Sequence, residues 1–88
     1  MRVCFEESFE RDLRKVKNKR LLKTIKEVID EMKKAGDLRE IKNLKKLRGH
    51  ERFYRIKAGN YRIGVEMAKD KVIFVRLLHR KDVYKYFP

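Results

Sequence analysis

FYRIKAGNYRIG, residues 53–64, is the stretch whose reading decides the fold. It reads as two strands joined by a tight turn at Ala58-Gly59-Asn60, where Gly and Asn tolerate the positive φ that a short hairpin needs. Side chains alternate faces along a strand, so Tyr54 and Ile56 share one face while Phe53, Arg55 and Lys57 share the other. On the returning strand Tyr61, Ile63, Val65 and Met67 fall together, opposite Arg62, Gly64 and Glu66. If the apolar set packs on a core, Arg55, Lys57 and Arg62 converge on the other face of the hairpin. Like charges on neighbouring strands cost roughly 0.2–1 kcal/mol per directly opposed pair, so this face is expected to serve an anionic ligand.

Upstream of the hairpin, residues 2–5 include the β-formers Val3 and Phe5 and read as a short first strand. Ser8 is placed to cap a helix whose apolar stripe is Phe9, Leu13 and Val16, and Lys17-Asn18-Lys19 is its break. A second helix follows on the stripe Leu21, Leu22, Ile25, Val28, Ile29 and Met32, with Gly36 as its stop. An amphipathic helix of that length needs a sheet to cover. In residues 37–51, Leu38, Ile41, Leu44 and Leu47 recur at three-residue intervals, which predicts a helical turn or two in the connector. Asp70-Lys71 marks a second turn, and residues 72–78 form an apolar strand interrupted on one face by Arg76. The order β-α-α-β-β-β over one domain, residues 1–88, predicts an α+β fold. Its expected form is a twisted antiparallel sheet with the N-terminal helical hairpin packed on one face.

The chain is 44% charged with a formal net charge of +13, and the excess is uneven. Residues 45–88 hold 13 Lys/Arg against 4 Asp/Glu, whereas residues 1–44 hold 13 against 9. An imbalance of this size favours a polyanionic partner. Cys4 has no second cysteine to pair with, which fits a reducing compartment, and it reads as core filler. No signal peptide and no run of about 20 apolar residues is present, so a cytoplasmic protein without a membrane partner is expected.

Metal and cofactor chemistry finds no motif: there are two histidines, one cysteine, and no HExxH or CxxC spacing. Gly59 and Gly64 sit in a hairpin rather than a phosphate loop, and Ser8, the only serine, lies in no G-x-S-x-G elbow. What remains is a set of cations with aromatics nearby: Arg55, Lys57, Arg62, Arg76 and Arg80 with Phe53, Tyr84 and Tyr86. The connector adds Lys45, Lys46 and Arg48, and the tail adds Lys81. Guanidinium forks match phosphate oxygens, and rings stack unpaired bases at about 1–3 kcal/mol each, a combination that suits single-stranded RNA. Tyr54 and Tyr61 are assigned to the core, His50 to a plain loop, and Tyr86 and Phe87 to packing the tail down.

The same surface has the groups for metal-independent RNA cleavage. A base takes the proton of a ribose 2′-OH, the oxygen attacks the adjacent phosphorus, cations hold the developing charge, and an acid protonates the leaving oxygen. Arg55, Arg62 and Arg80 are the candidate charge stabilisers. An amine crowded by arginines has its ammonium form disfavoured, which makes Lys57 a candidate base. His79 competes for the acid–base role, because an imidazole ordinarily titrates near neutrality. Tyr84 is placed to stack a base or to donate a proton.

Four pieces in order carry a family resemblance: Lys46-Leu47-Arg48-Gly49, Tyr54-Arg55-Ile56-Lys57, Gly59-Asn60-Tyr61-Arg62-Ile63 and His79-Arg80-Lys81-Asp82-Val83-Tyr84. Together they resemble the RelE/ParE superfamily of toxin–antitoxin toxins, over nearly the whole chain. The resemblance implies a RelE-like fold and, for the RelE branch, ribosome-dependent cleavage of mRNA in the A site by 2′-OH attack, leaving a cyclic phosphate. Carried over by position, Arg55 and Lys57 match the two basic positions of the first hairpin strand, with Lys57 at the proposed base. Arg62 matches the phosphate-binding arginine, Arg80 the arginine that assists the leaving group, and Tyr84 the C-terminal tyrosine. Arg55 departs from the lysine often found there; a guanidinium supplies charge but is a poor base. The resemblance also implies a cognate antitoxin, acidic or amphipathic, with operator DNA bound mainly through that antitoxin. The alternatives are a ParE-like inhibitor of DNA gyrase and a non-catalytic basic RNA-binding module.

Overall fold

The hairpin forms where the sequence places it. In the computed structural model, which describes residues 1–88, β3 (Phe53–Ala58) and β4 (Tyr61–Ala68) pair antiparallel from Ala58↔Tyr61 to Phe53↔Glu66. The loop is the dipeptide Gly59-Asn60, and of the two only Gly59 takes a positive φ, 59°. Glycine at the first of two loop positions matches the right-handed twist of the flanking strands.

This hairpin is central to a five-stranded sheet of order β1-β5-β4-β3-β2. β5 (Lys71–His79) pairs antiparallel with β4, and β1 (Arg2–Phe5) closes the far edge against β5. The fold is α+β, as expected, with one pairing that alternation alone does not give: β1 runs parallel to β5, Val3 opposite Val72 and Phe5 opposite Phe74. A parallel neighbour requires a long crossover. Here nearly the whole chain lies between the two strands.

The helical hairpin, α1 (Glu7–Arg14) and α2 (Lys19–Lys34), covers one sheet face. Phe9, Ile25 and Met32 from the helices meet Ile56, Ile63, Val65, Val72, Phe74 and Leu77 from the strands, all almost fully buried. The caps differ from expectation. α1 begins one residue before Ser8, so Ser8 lies inside the first turn and its Oγ donates to the Val75 carbonyl at 2.6 Å. Asn18, within the expected break, caps α2: the Leu21 N–H donates to its Oδ1 at 3.1 Å.

The connector meets the expectation only in part. Only a single 3-10 turn, Leu38–Glu40, forms, closed by Asp37, whose side chain accepts the Arg39 N–H. The hydrogen bond from the Arg39 side chain holds the Asp37 carboxyl below its usual range. Asn43 then adopts φ 63° and the chain enters an edge strand, β2 (Leu44–Lys46), paired with β3. The three-residue spacing misleads because its apolar residues serve two faces. Ile41 and Leu44 join the helix-covered core, while Leu47 joins a separate cluster with Val83 and Phe87.

Candidate functional site

The uncovered sheet face is assembled by register. Lys45 of β2 stands opposite Arg55 of β3, and Arg55 opposite Gly64 of β4. Lys57 stands opposite Arg62, which stands opposite Leu78 of β5. Directly opposed residues have Cα atoms about 4.5–5.5 Å apart, so Lys57 and Arg62 share one patch of surface. Neither they nor Arg55, Arg80 or Lys45 has an acidic partner: the ion pairs are Arg39–Asp37, Arg52–Glu66 and Arg76–Asp12.

A short helix, α3 (Val83–Tyr86), is seated on this face by its own small core. Val83, Phe87 and Leu47 are buried together, with Phe53, Val75 and Leu78 packed around them. The Phe87 ring lies directly on Gly64, where a Cβ would stand 2.8 Å from three ring carbons. Glycine in mid-strand therefore creates the floor on which the C-terminal segment rests. Seated this way, α3 holds Tyr84 outward, 66% exposed, and Arg55 Nε donates to its Oη at 3.2 Å. Tyr84 thus joins the basic face from a different element. Tyr86, expected to pack the tail, is 55% exposed; Phe87 alone does the packing.

Arg62 curls over the hairpin turn, where its Nη1 donates to the carbonyls of Gly59 and Tyr61, both at 2.9 Å. Its Nε and Nη2 remain available to an anion. Arg80 follows β5, and its backbone N–H donates to the Asn60 carbonyl at 2.8 Å, which brings it to the hairpin tip beside Arg62. Lys81 is exposed next to it, while Lys46 and Arg48 are exposed along the β2 edge and the loop after it.

Three residues singled out in the sequence are not brought to this set. Arg76 is engaged by α1: its Nε and Nη2 donate to the Asp12 carboxylate at 2.8 and 3.3 Å, and Asp12 also accepts the Leu77 N–H at 2.9 Å. Arg76 is a structural clasp rather than a free phosphate ligand. His79 pairs with Tyr61, its ring 5.5 Å away on the helix-covered side, and its Nδ1 accepts the Lys81 N–H. Phe53 packs edge-to-face against Phe87 at 5.6 Å and is committed to seating α3. The physical reason for the placement of His79 is a β-bulge. Gly64 pairs with Arg76 and Val65 with Phe74, so Val75 is an extra residue that re-phases the second half of β5. Leu77 and His79 are thereby turned to the helix side and Leu78 to the open face.

Sequence reasoning missed the roles of Asp12 and Gly64, and the partners Leu47 and Val83 on which the expected packing of Phe87 rests. Signals existed for the first two: an acid on the apolar stripe between Phe9 and Leu13, and a glycine inside a strand. No group of three or more His, Cys, Asp or Glu side chains gathers anywhere in the structure, and no helix is long and apolar enough to cross a membrane.

Comparison with known proteins fits this architecture. A family model described as the ParE toxin of the type II toxin–antitoxin system parDE matches residues 3–84. The chain belongs to this toxin family, and within it is a RelE-like toxin of a toxin–antitoxin system. It is 44% identical over 89 residues, spanning both chains entirely, to Toxin RelE3 of Methanocaldococcus jannaschii. It also matches a chain of the RelB–RelE antitoxin–toxin complex from Methanococcus jannaschii with a TM-score of 0.81 and 42% identity, covering 97% of this chain and 99% of that one. The archaeal RelE–RelB complex from Pyrococcus horikoshii OT3 shares the fold at a TM-score of 0.73 and 22% identity, covering 90% and 93% of the two chains.

Proposed function

We propose that this toxin is a ribosome-dependent mRNA endonuclease that blocks translation in the cytoplasm and is neutralised by a cognate antitoxin. The observation that carries the reading is the open sheet face, where Arg55 holds Tyr84 and Lys57 lies opposite Arg62 without any acidic counter-charge. mRNA in a ribosomal A site is the substrate of this reading, and no cofactor enters it.

In the proposed reaction Lys57 takes the 2′-OH proton, the 2′-oxygen bonds to phosphorus, and the bond from phosphorus to the 5′-oxygen breaks. The products are a 2′,3′-cyclic phosphate and a 5′-hydroxyl. Arg62, through its Nε and Nη2, and Arg55 hold the charge of the phosphorane. Arg80 lies at the leaving-group side, and the Tyr84 hydroxyl supplies the proton or its ring stacks the neighbouring base. His79 is set aside as the base because it faces Tyr61 on the far side of the sheet.

Lys45, Lys46, Arg48 and Lys81 are proposed as contacts to flanking phosphates. The antitoxin of this reading is an acidic or amphipathic chain, drawn by the +13 charge and carrying the operator-DNA contacts itself. RelE is bound to RelB in the Methanococcus jannaschii complex, which supports a partner of this kind. The ParE name of the family model supports a second reading, trapping of DNA gyrase.

Primer extension along a reporter mRNA in a translation extract separates the two. Cuts at ribosome-occupied codons are expected. Intact message with stalled gyrase–DNA complexes would replace the first reading with the second.

A further inference from the structure

β5 has a strand on each side for only the first part of its length. β1 pairs with it from Arg2↔Lys71 to Phe5↔Phe74, and the Glu6 N–H closes that ladder on the Phe74 carbonyl at 2.9 Å. There the chain leaves the sheet and becomes α1. Residues 75–79 of β5 therefore lie beside α1 where a neighbouring strand would stand, and the bulge falls in this stretch.

α1 takes the place of the missing strand with two side chains. Ser8 and Asp12 are four residues apart, which sets them one above the other on a single helix face. The Ser8 Oγ donates to the Val75 carbonyl at 2.6 Å, and Asp12 Oδ2 accepts the Leu77 N–H at 2.9 Å. The same carboxylate holds the Arg76 side chain between those two bonds. Leu77 is buried, so its N–H would otherwise carry the desolvation penalty of an unpaired donor. The irregular half of β5 is thus fixed by groups that belong to a distant part of the chain.

Three residues beyond Leu77 stands Arg80. Its backbone N–H reaches the Asn60 carbonyl at 2.8 Å, and the Asp82 N–H reaches the His79 carbonyl at 2.8 Å. Arg80 belongs to no ion pair, so the direction of its guanidinium follows from where the backbone puts it. That backbone is the continuation of β5, whose phase is held from α1.

We infer that Ser8 and Asp12 are positioning residues for cleavage: by holding β5 in its bulged register they aim Arg80 at the leaving-group oxygen. The inference rests on the reading of the open face as an RNA-cleaving site, and it adds to that site a helix packed on the opposite face of the sheet. Neither side chain touches RNA. Their leverage comes from geometry, because a misplacement of about 1 Å in a reacting group is enough to slow a reaction by about 100-fold.

Ser8→Ala is the informative variant, since Asp12→Ala also strands the Arg76 guanidinium. Single-turnover cleavage of mRNA on programmed ribosomes is measured for Ser8→Ala in the wild-type and in the Arg80→Ala background. In the wild-type background the rate at saturating ribosomes is expected to fall about 10-fold, while the ribosome concentration giving half that rate stays within about 2-fold. In the Arg80→Ala background the same change should slow cleavage by less than about 3-fold, the non-additivity of two residues that act through one group. Amide hydrogen exchange gives a readout that needs no cleavage. The Leu77 and Arg80 amides of Ser8→Ala should exchange about 10-fold faster, while the Met67 amide, at the end of β4 away from the hairpin tip, stays within about 2-fold.

A wild-type cleavage rate for Ser8→Ala would overturn the inference. So would an equal loss in both backgrounds, which would make Ser8 independent of Arg80. Exchange that rises uniformly across the sheet would overturn it as well, by reducing Ser8 to general stability. A wild-type protein that cuts no mRNA would refute the nuclease reading instead, and the exchange pattern would still decide whether α1 sets the place of Arg80.

Discussion

Gly64 lies beneath the Phe87 ring, where a Cβ would be 2.8 Å from three carbon atoms of that ring. Gly64→Ala should therefore lift Phe87 and unseat α3, at a cost of about 1–3 kcal/mol from overpacking. Chemical denaturation would report that loss, and unchanged stability would mean that the ring shifts freely. Asp12 is a second single-residue dependency. Asp12→Ala leaves the Arg76 guanidinium and the buried Leu77 N–H without an acceptor, and should cost about 3 kcal/mol because one partner of a largely buried ion pair is stranded. An unfolding free energy within about 0.5 kcal/mol of wild type would remove Asp12 from its role as clasp.

At the scale of elements, α3 links stability to the candidate site. Its four residues hold Tyr84 against Arg55 only because Val83 and Phe87 are buried beside Leu47. Phe87→Ala should cost about 3 kcal/mol in stability and slow cleavage by releasing Tyr84, whereas Tyr86→Ala, at an exposed position, should leave stability within about 0.5 kcal/mol. Equal effects of the two changes in a denaturation series would contradict the seat. The elements also show what the sequence made legible. Alternation in residues 53–64 placed Arg55, Lys57 and Arg62 on one face because a regular hairpin keeps its phase. The same rule cannot place His79, because the extra residue Val75 shifts the phase of β5 and is held there by Ser8 and Asp12 from a distant helix. β2 escaped detection for a related reason: Leu44 and Leu47 pack into different clusters, so their spacing resembled a helical period.

For the whole molecule, the net charge of +13 is uneven, with eight Lys/Arg against one acid in residues 11–26 and 13 against 4 in residues 45–88. The sheet face offers cations with exposed tyrosine, and the α1–α2 turn offers cations alone. Engagement of about five phosphates of a single strand at the sheet face predicts a log K against log[salt] slope near −3.5. A slope near zero in an anisotropy titration would show that charge does not drive binding. The family and the fold were legible from residue patterns spread along the chain, since the four pieces fall at the end of β2, in the two strands of the hairpin, and from the end of β5 into α3. The acidic clasp and the glycine floor show in the sequence only as an odd residue each, because the partners that give them a role lie far apart in sequence.

The account depends most on which residues share the open face, and single-turnover cleavage of mRNA on programmed ribosomes tests that directly with two variants. Arg62→Ala is predicted to slow cleavage at least about 100-fold, the loss expected for a transition-state charge donor, while His79→Ala stays within about 3-fold of wild type. A near-normal rate for Arg62→Ala, or a collapse in His79→Ala with Arg62→Ala unaffected, would contradict it.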